Sequence, residues 1–563
     1  MKVPFAFGLA LLLAVSGMAV SEGVDSDSFV DRPSPRPNLL VIMVDDLDTA
    51  SFQQLLDGGK LPNIRKHLLL EGTEFRESFA SNSLCCPSRA TFLTGQYAHN
   101  HGVQNVTGSN GGYRAFHPGG ADHPNVADWL QESGYYTGLI GKYKNGYTPS
   151  KPVPSGWDYW RALPSHLLVP GSYTVVREDG GTERPEVYQT RKIGEYAMEA
   201  MGRAASAGEP FFLFLAPTAP HVETLSVWDN DYQCNGTTHP NYTGYLKPDA
   251  GNFDSDPVIE GYSRADYAAQ GCSAYAEGCL RGPGNTPLPG FELPSLGSPS
   301  FDNFASAPAV AQDHWESLSC ADNLDQLQRL HLERQESMLS IDVMVGKLIG
   351  GLIDTDQLDD TVIVFTSDNG YFLGQHSLGN KGLAYEESIR VPLLIRPLGP
   401  RIHAWQWIMV GNVDLAPTLL QYAGLDWTDP MYGIDGRSLW LFLEVAFKAM
   451  PPWRDMLFLE AEHPRGSNLE GPQSWWMFPD YAAVRTATGS LSRGDMTLVE
   501  YNDPLWKTVG YYEEFLFDMK SDPHQILDVS ADPAYALDLQ TLRGKLDDLE
   551  TCAGAGCRSA ERW

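Results

Sequence analysis

The stretch Asn38-Leu39-Leu40-Val41-Ile42-Met43-Val44-Asp45-Asp46 decides the architecture: an apolar run follows Asn38 without interruption and stops at two adjacent acids. A strand with one wet face alternates apolar and polar side chains, whereas an unbroken apolar run of this length reads as a strand buried on both faces. The pattern recurs at Tyr136 to Ile140 before Gly141-Lys142, at Phe211 to Ala216 before Pro220-His221, and at Thr361 to Thr366 before Asp368-Asn369-Gly370. Such strands, separated by helical patterns, predict an α/β fold with a mostly parallel central sheet and helices on both faces. Ligands of such sheets bind beyond the carboxyl ends of the strands, so the four polar clusters are expected to converge on one edge.

With 563 residues, 42% hydrophobic and 20% charged, the chain is long enough for a large core and more than one domain. The strand-rich region 37–400 is expected to be the larger domain, the one that carries the converging polar clusters. Within it, residues 225–322 turn rich in Gly, Pro, Asp, Asn and Ser, carry four cysteines and lack helical period, which reads as a stapled surface insertion near the pocket rim. From Leu324 to Leu352 apolar residues recur at helical spacing, giving a scaffold helix that feeds the strand at Thr361. A smaller α+β domain is expected over 401–548, with strands at Thr497 to Tyr501 and Phe515 to Asp518, and the tail 549–563 is expected to be peripheral.

Lys2, the apolar stretch Phe5 to Val15 and the small residues Gly17 and Ala19 read as a secretory signal peptide over 1–19, too short to span a membrane, and no later stretch looks transmembrane. Three sequons, at Asn105, Asn235 and Asn241, fit export if they lie on the surface. Eight cysteines are present; Cys552 and Cys557 suit a local loop, and the set implies an oxidising compartment. A formal net charge of -31 excludes a nucleic-acid surface built on clustered Lys and Arg. An anionic substrate would have to be drawn by a local basic pocket against the bulk field.

Asp45-Asp46 and Asp368-Asn369, each after a strand, offer hard oxygen ligands, which suit calcium or magnesium and not zinc or copper. Cys85-Cys86-Pro87-Ser88-Arg89 ties a reactive sulfur to a helix start: Pro87 fits a first turn, and Arg89, one turn beyond Cys85, can face the same pocket. Together these features suit an oxyanion.

The run Cys85 to Gly95 resembles the signature of formylglycine-dependent (type I) sulfatases of the alkaline phosphatase superfamily, and looks closest to arylsulfatases and N-acetylglucosamine-6-sulfatases. The resemblance extends intermittently from about Pro37 to Val529, leaving the insertion unmatched. It implies that Cys85 is oxidised to formylglycine by a formylglycine-generating enzyme, with Asp45, Asp46, Asp368, Asn369 and the modified Cys85 around one divalent cation, usually calcium and less often magnesium. Arg89, Lys142 and Lys381 would hold the sulfonyl oxygens and His221 would protonate the leaving oxygen. In the implied mechanism the aldehyde hydrate attacks sulfur, displaces the alcohol, then collapses to expel sulfate.

Two departures stand out: Lys144 occupies a position where many sulfatases have histidine, and Phe372 one where related sequences often have histidine. The base for sulfate release is therefore open between His376, His99 and His101. The expected activity is hydrolysis of aryl or carbohydrate sulfate monoesters by a secreted or lysosome-like enzyme, with no stable membrane insertion. Two rivals share the scaffold: a phosphomonoester or phosphonate hydrolase, and a non-catalytic protein that binds sulfated glycan.

Overall fold

Alternate residues of the decisive stretch enter two different cores. Leu39, Val41 and Met43 join one apolar cluster, and Leu40, Ile42 and Val44 join another on the opposite face. The computed structural model describes residues 36–120, 123–164, 168, 171–221, 293, 324–376, 378–399, 404–444, 453–462, 479–488, 495–503 and 511–563. Its strands are β1 (Asn38–Val44), β2 (Thr73–Phe79), β3 (Tyr136–Lys142), β4 (Tyr159–Leu163), β5 (Val175–Arg177), β6 (Thr182–Glu183), β7 (Phe211–Ala216), β8 (Thr361–Ser367), β9 (Phe372–Leu373), β10 (Gly379–Asn380), β11 (Leu393–Arg396), β12 (Ala404–Gly411), β13 (Met456–Ala461), β14 (Asp480–Thr486), β15 (Met496–Asp503) and β16 (Tyr511–Asp518).

Among the described residues, β1 to β8 with β11 and β12 form one ten-stranded sheet in the order β12-β2-β11-β8-β1-β7-β3-β4-β5-β6. The four strands read from the sequence, β8, β1, β7 and β3, lie side by side at its centre and run parallel, with Leu39 beside both Val362 and Phe212. Antiparallel pairing enters through β11, β5 and β6. One face is covered by helices Gln189–Ala207 and Leu324–Asp354 through Ile193, Ala197, Met338 and Ile341; the other by Cys85–Thr94 and Leu415–Tyr422 through Phe92, Leu93 and Leu419. The central β1 is thus buried on both sides, as its unbroken apolar run requires.

A second, antiparallel sheet, β13-β14-β15-β16, packs with helix Ala536–Glu550 through Leu539, Leu542, Leu546 and Leu549. Both strands expected there are present, within Met496–Asp503 and Tyr511–Asp518. The boundary set at 400 falls short of the large sheet's last strand, since β12 (Ala404–Gly411) pairs with β2. Apart from Leu293, the expected insertion with Asn235, Asn241 and its cysteines lies outside the described residues, as does the leader. The Asn105 sequon is buried: its side chain donates to the Glu462 carbonyl at 2.6 Å and accepts from the Val106 N–H. No helix among the described residues is long and apolar enough to cross a membrane.

The tail is not peripheral. Cys552 and Cys557 form a disulfide, and the short turn that they close returns Glu561 into the interior, fully buried. Its carboxylate meets Arg437, Arg454 Nε at 3.2 Å and the Tyr97 hydroxyl. Small residues hid this from the sequence, because nothing in Ala553-Gly554-Ala555-Gly556 signals an inward turn. Removing one partner of a buried charge network strands the others, at a cost of about 3–5 kcal/mol. Glu561→Ala is therefore expected to lower the thermal melting temperature by several degrees, with Glu561→Gln retaining part of the stability; an unchanged melt for Glu561→Ala would show that the network contributes nothing.

Candidate active site

Four loops leave the carboxyl ends of β1, β7, β3 and β8 and meet at one edge. Gly141 lets β3 deliver the first cation: its φ is 123°, and a Cβ there would strike the Ala216 carbonyl on β7, so only glycine allows the approach that sets Lys142. Lys142 Nζ then reaches Asp45 Oδ2 at 2.6 Å. Asp46, just after β1, is held left-handed with φ 67°. Its N–H donates to Asp368 Oδ1 at 3.1 Å, and the following N–H of Leu47 donates to Ser367 Oγ at 2.9 Å, tying the β1 loop to the β8 loop.

Cys85 opens helix Cys85–Thr94, and its sulfur lies 3.4 Å from Asp45 Oδ1 and 3.8 Å from Asp46 Oδ1. Lys381, after β10, donates to that sulfur at 2.7 Å and also to Asp46. One turn along the helix, Arg89 is fully buried, with Nε on Asp368 Oδ2 at 2.8 Å and Nη1 on the Lys142 carbonyl at 3.1 Å. His221 Nε2 stands 3.6 Å from Asp46 Oδ2, and Asn369 Nδ2 donates to Asp46 Oδ1 at 2.7 Å. The structure thus brings together Asp45, Asp46, Cys85, Arg89, Lys142, His221, Asp368, Asn369 and Lys381.

Burial raises the Asp46 carboxyl, yet Lys381, His221, Lys142 and Arg334 together hold it well below the usual carboxylate range. Asp368 moves the other way, raised by burial and by the Asp45 charge. The same two causes, burial first and Asp45 next, push the Cys85 thiol well up, so at neutral pH it is a protonated thiol and a poor nucleophile. Lys381 is disfavoured as a cation by burial, but Asp46 and its neighbours raise it well above its ordinary value.

The carboxylate and amide oxygens gathered here fit a divalent cation. Oxygens of Asp45 and Asp46, the Cys85 sulfur and a His221 nitrogen lie within 4.8 Å of one another. Asn369 Oδ1 is buried at the same place with no hydrogen-bond donor, an orphaned acceptor of the kind a cation satisfies. The three carboxylates balance Arg89, Lys142 and Lys381, so a divalent ion would leave the pocket positive and suited to a singly charged ester.

The remaining histidines have other settings. Both His101 ring nitrogens are used, Nε2 with Thr91 Oγ1 at 3.0 Å and Nδ1 by the Val103 N–H at 3.1 Å. Burial keeps that ring neutral, its pKa well below the ordinary value. His99 bridges Glu460 at 2.9 Å and the Cys552 carbonyl at 2.9 Å. His376 is buried with φ 55°, lies on Tyr385 with ring centres 4.0 Å apart, and places Nε2 3.8 Å from Glu387 Oε2. Lys144 is buried with Nζ 4.3 Å from the centre of the Phe116 ring, and Phe372 packs edge-on to Tyr385. Sequence reading missed Arg334, which enters the site from the helix taken as scaffold: it donates to the Asp46 carbonyl and, at 3.3 Å, to that of Pro220. Nothing in the sequence singled it out, since it sits between Glu333 and Gln335-Glu336 in a polar stretch of the helix.

A doubly covered, mostly parallel sheet that gathers buried acids and cations at its strand ends suits an enzyme acting on anionic esters. The family model described as Sulfatase matches residues 37–425, and the chain belongs to the sulfatase family, whose members hydrolyse sulfate esters. An arylsulfatase of Volvox carteri is 27% identical over 93% of this chain and 76% of its own length. A human N-acetylglucosamine-6-sulfatase is 28% identical over 93% of this chain and 86% of its own. The solved structure of BT4656 in complex with its substrate D-glucosamine-2-N,6-O-disulfate shares the fold, with a TM-score of 0.62 and 22% identity over 93% of this chain and 98% of that one.

The His99 setting sets a pH dependence of stability. Burial disfavours its charge, but the Glu460 hydrogen bond and charge and the Cys552 carbonyl raise its pKa from 6.5 to about 9. A raised folded pKa gives stability that is complete below the unfolded value and lost as pH climbs through the folded one. His99→Gln is expected to lower the melting temperature most at pH 6 and to converge on the parent above pH 9; a gap independent of pH across that range would contradict the charged assignment.

Proposed function

We propose that this sulfatase is a calcium-dependent enzyme that cleaves sulfate from carbohydrate or aryl esters, using a formylglycine made from Cys85 by a formylglycine-generating enzyme. The observation that carries this reading is the setting of Cys85: a protonated thiol between Asp45 at 3.4 Å and Lys381 at 2.7 Å, in a pocket whose other groups suit an anion and a cation. Asp45, Asp46, Asp368, Asn369 and the modified residue 85 would hold the calcium ion, which when bound supplies Lewis-acid neutralisation of the sulfonyl oxygens. The aldehyde at position 85, once water has added to it to give a geminal diol, would supply a hydroxyl as the nucleophile.

The chain's own side chains do the rest. Arg89, fixed by Asp368 and the Lys142 carbonyl, presents a preorganised positive charge with no room to reorient. Lys142 and Lys381, each anchored on an acid, grip the sulfonyl oxygens. His221, beside Asp46, donates a proton to the departing alkoxide, which matters most for a sugar alcohol, a poor leaving group. For the base that draws the proton as sulfate leaves we assign His376, from the loop between β9 and β10 that precedes Lys381 and beside Glu387 at 3.8 Å, whereas His101 is held neutral by burial. The relatives' names favour N-acetylglucosamine 6-sulfate as the sugar ester, and the leader and the disulfide favour secretion or a lysosome-like compartment.

The test is sulfate release by protein in which Cys85 is converted. Sulfate is expected from 4-nitrophenyl sulfate and from N-acetylglucosamine 6-sulfate, abolished in Cys85→Ala and lowered by about 10²-fold or more in Arg89→Met. Chelation should remove it and calcium restore it. Faster turnover of a phosphate monoester at equal concentration would make the protein a phosphohydrolase, and tight binding of sulfated glycan without sulfate release would make it a binding protein.

A further inference from the structure

Arg334 touches three of the loops that build the site, and nothing in the reaction described above uses it. It is 4% exposed, on the face of helix Leu324–Asp354 that meets the strand ends. Nη2 donates to the Asp46 carbonyl and lies 3.7 Å from Asp48 Oδ2. Nη1 donates to the Pro220 carbonyl at 3.3 Å, and the guanidinium carbon stands 4.0 Å from the centre of the Tyr371 ring. One planar cation thus contacts the loop of Asp45 and Asp46, the loop of His221 and the loop of Asp368 and Asn369.

Two features give these contacts mechanical meaning. Asp46 holds a left-handed backbone, which in a non-glycine residue persists only where neighbours over-determine it. Its peptide is gripped from both sides: Asp368 accepts its N–H, and Arg334 donates to its carbonyl. His221, meanwhile, follows Pro220 directly, so the carbonyl that Arg334 holds is one peptide bond from the proposed acid. A guanidinium has a rigid fork for two carbonyls and a flat face for a tyrosine; an ammonium has neither.

We propose that Arg334 is a positioning residue for sulfate-ester cleavage, fixing the backbones of Asp46 and Pro220 so that His221 reaches the leaving oxygen. The inference deepens the reading of His221 as general acid and rests on it. It requires that losing Arg334 hurt poor leaving groups more than good ones, since a nitrophenolate departs with little help from an acid and a sugar alkoxide does not. A residue that merely stabilised the fold would lower both activities together.

The experiment uses converted, calcium-loaded enzyme and compares kcat/KM for 4-nitrophenyl sulfate and N-acetylglucosamine 6-sulfate in the parent, Arg334→Lys, Arg334→Met and His221→Ala. General acids contribute roughly 10²–10⁴-fold. Arg334→Met is expected to lose about tenfold or more on the sugar ester beyond its loss on the nitrophenyl ester, with Arg334→Lys intermediate because it keeps the charge without the fork. Equal losses on both esters in both variants, while His221→Ala discriminates between them, would overturn the proposal. Crystal structures of the two variants read the positioning without reference to activity: displacement of His221 from its 3.6 Å approach to Asp46, or loss of the Asp46 φ near 67°, is expected, and retention of both would overturn it. Should His221→Ala itself treat the two esters alike, the acid assignment fails, and those structures alone decide whether Arg334 positions the loops. If Arg334→Met does not fold, Arg334→Lys carries each comparison.

Discussion

Three carboxylates with almost no contact with water, Asp45, Asp46 and Asp368, crowd the ends of adjacent parallel strands, and this buried negative charge is the constraint to which the surrounding structure answers. Isolated ions are very costly to bury, so each acid must be paired and hydrogen-bonded. Lys142 comes from β3, Arg89 from the helix after β2, Lys381 from the loop after β10 and Arg334 from the long helix. Every one of these cations belongs to a different element, so the charge can be neutralised only when the sheet and both helical layers are assembled. The pocket is therefore a product of the whole fold: Arg89, Lys142 and Lys381 match the three carboxylates, while Arg334 faces the Asp46 carbonyl and Asp48.

Much of this was legible because β1, β3, β7 and β8 are buried on both faces and so carry unbroken apolar runs. Those runs also marked where the sheet's carboxyl edge lies, and the polar residues after each run proved to be neighbours in space. β12 escaped because an edge strand alternates: Trp405 and Trp407 are more than half exposed while Val410 is buried, which reads as an irregular segment past a proline. β2 was hidden by Arg76 and the acids Glu74 and Glu77, which break its apolar pattern. No local rule predicts that β11 runs against its neighbours, because antiparallel pairing is set by the path of the chain.

The site was legible in residue type but not in partnership. The carboxylates, the cysteine, Arg89 and Lys142 were legible from strand ends and from one motif, Lys381 only from the family resemblance, and the structure gathers them. Arg334 was missed because helical periodicity reports which face is apolar, not which single charge reaches past it. Glu561 was missed because burial of a terminal acid depends on Arg437 and Arg454, far away in the chain. His99 and His101 illustrate the converse: two histidines close to Cys85 in sequence are struts, one charged against Glu460 and one held neutral against Thr91.

The central claim is that the pocket exists to hold a chemically altered residue 85, since the unaltered thiol is kept protonated by burial and by Asp45. The most direct measurement is the mass of the peptide containing residue 85, taken from protein purified from its native host. The account predicts a deficit of about 18 Da at that residue, with sulfur and two hydrogens lost and one oxygen gained. An unmodified thiol throughout the purified, active protein would contradict it.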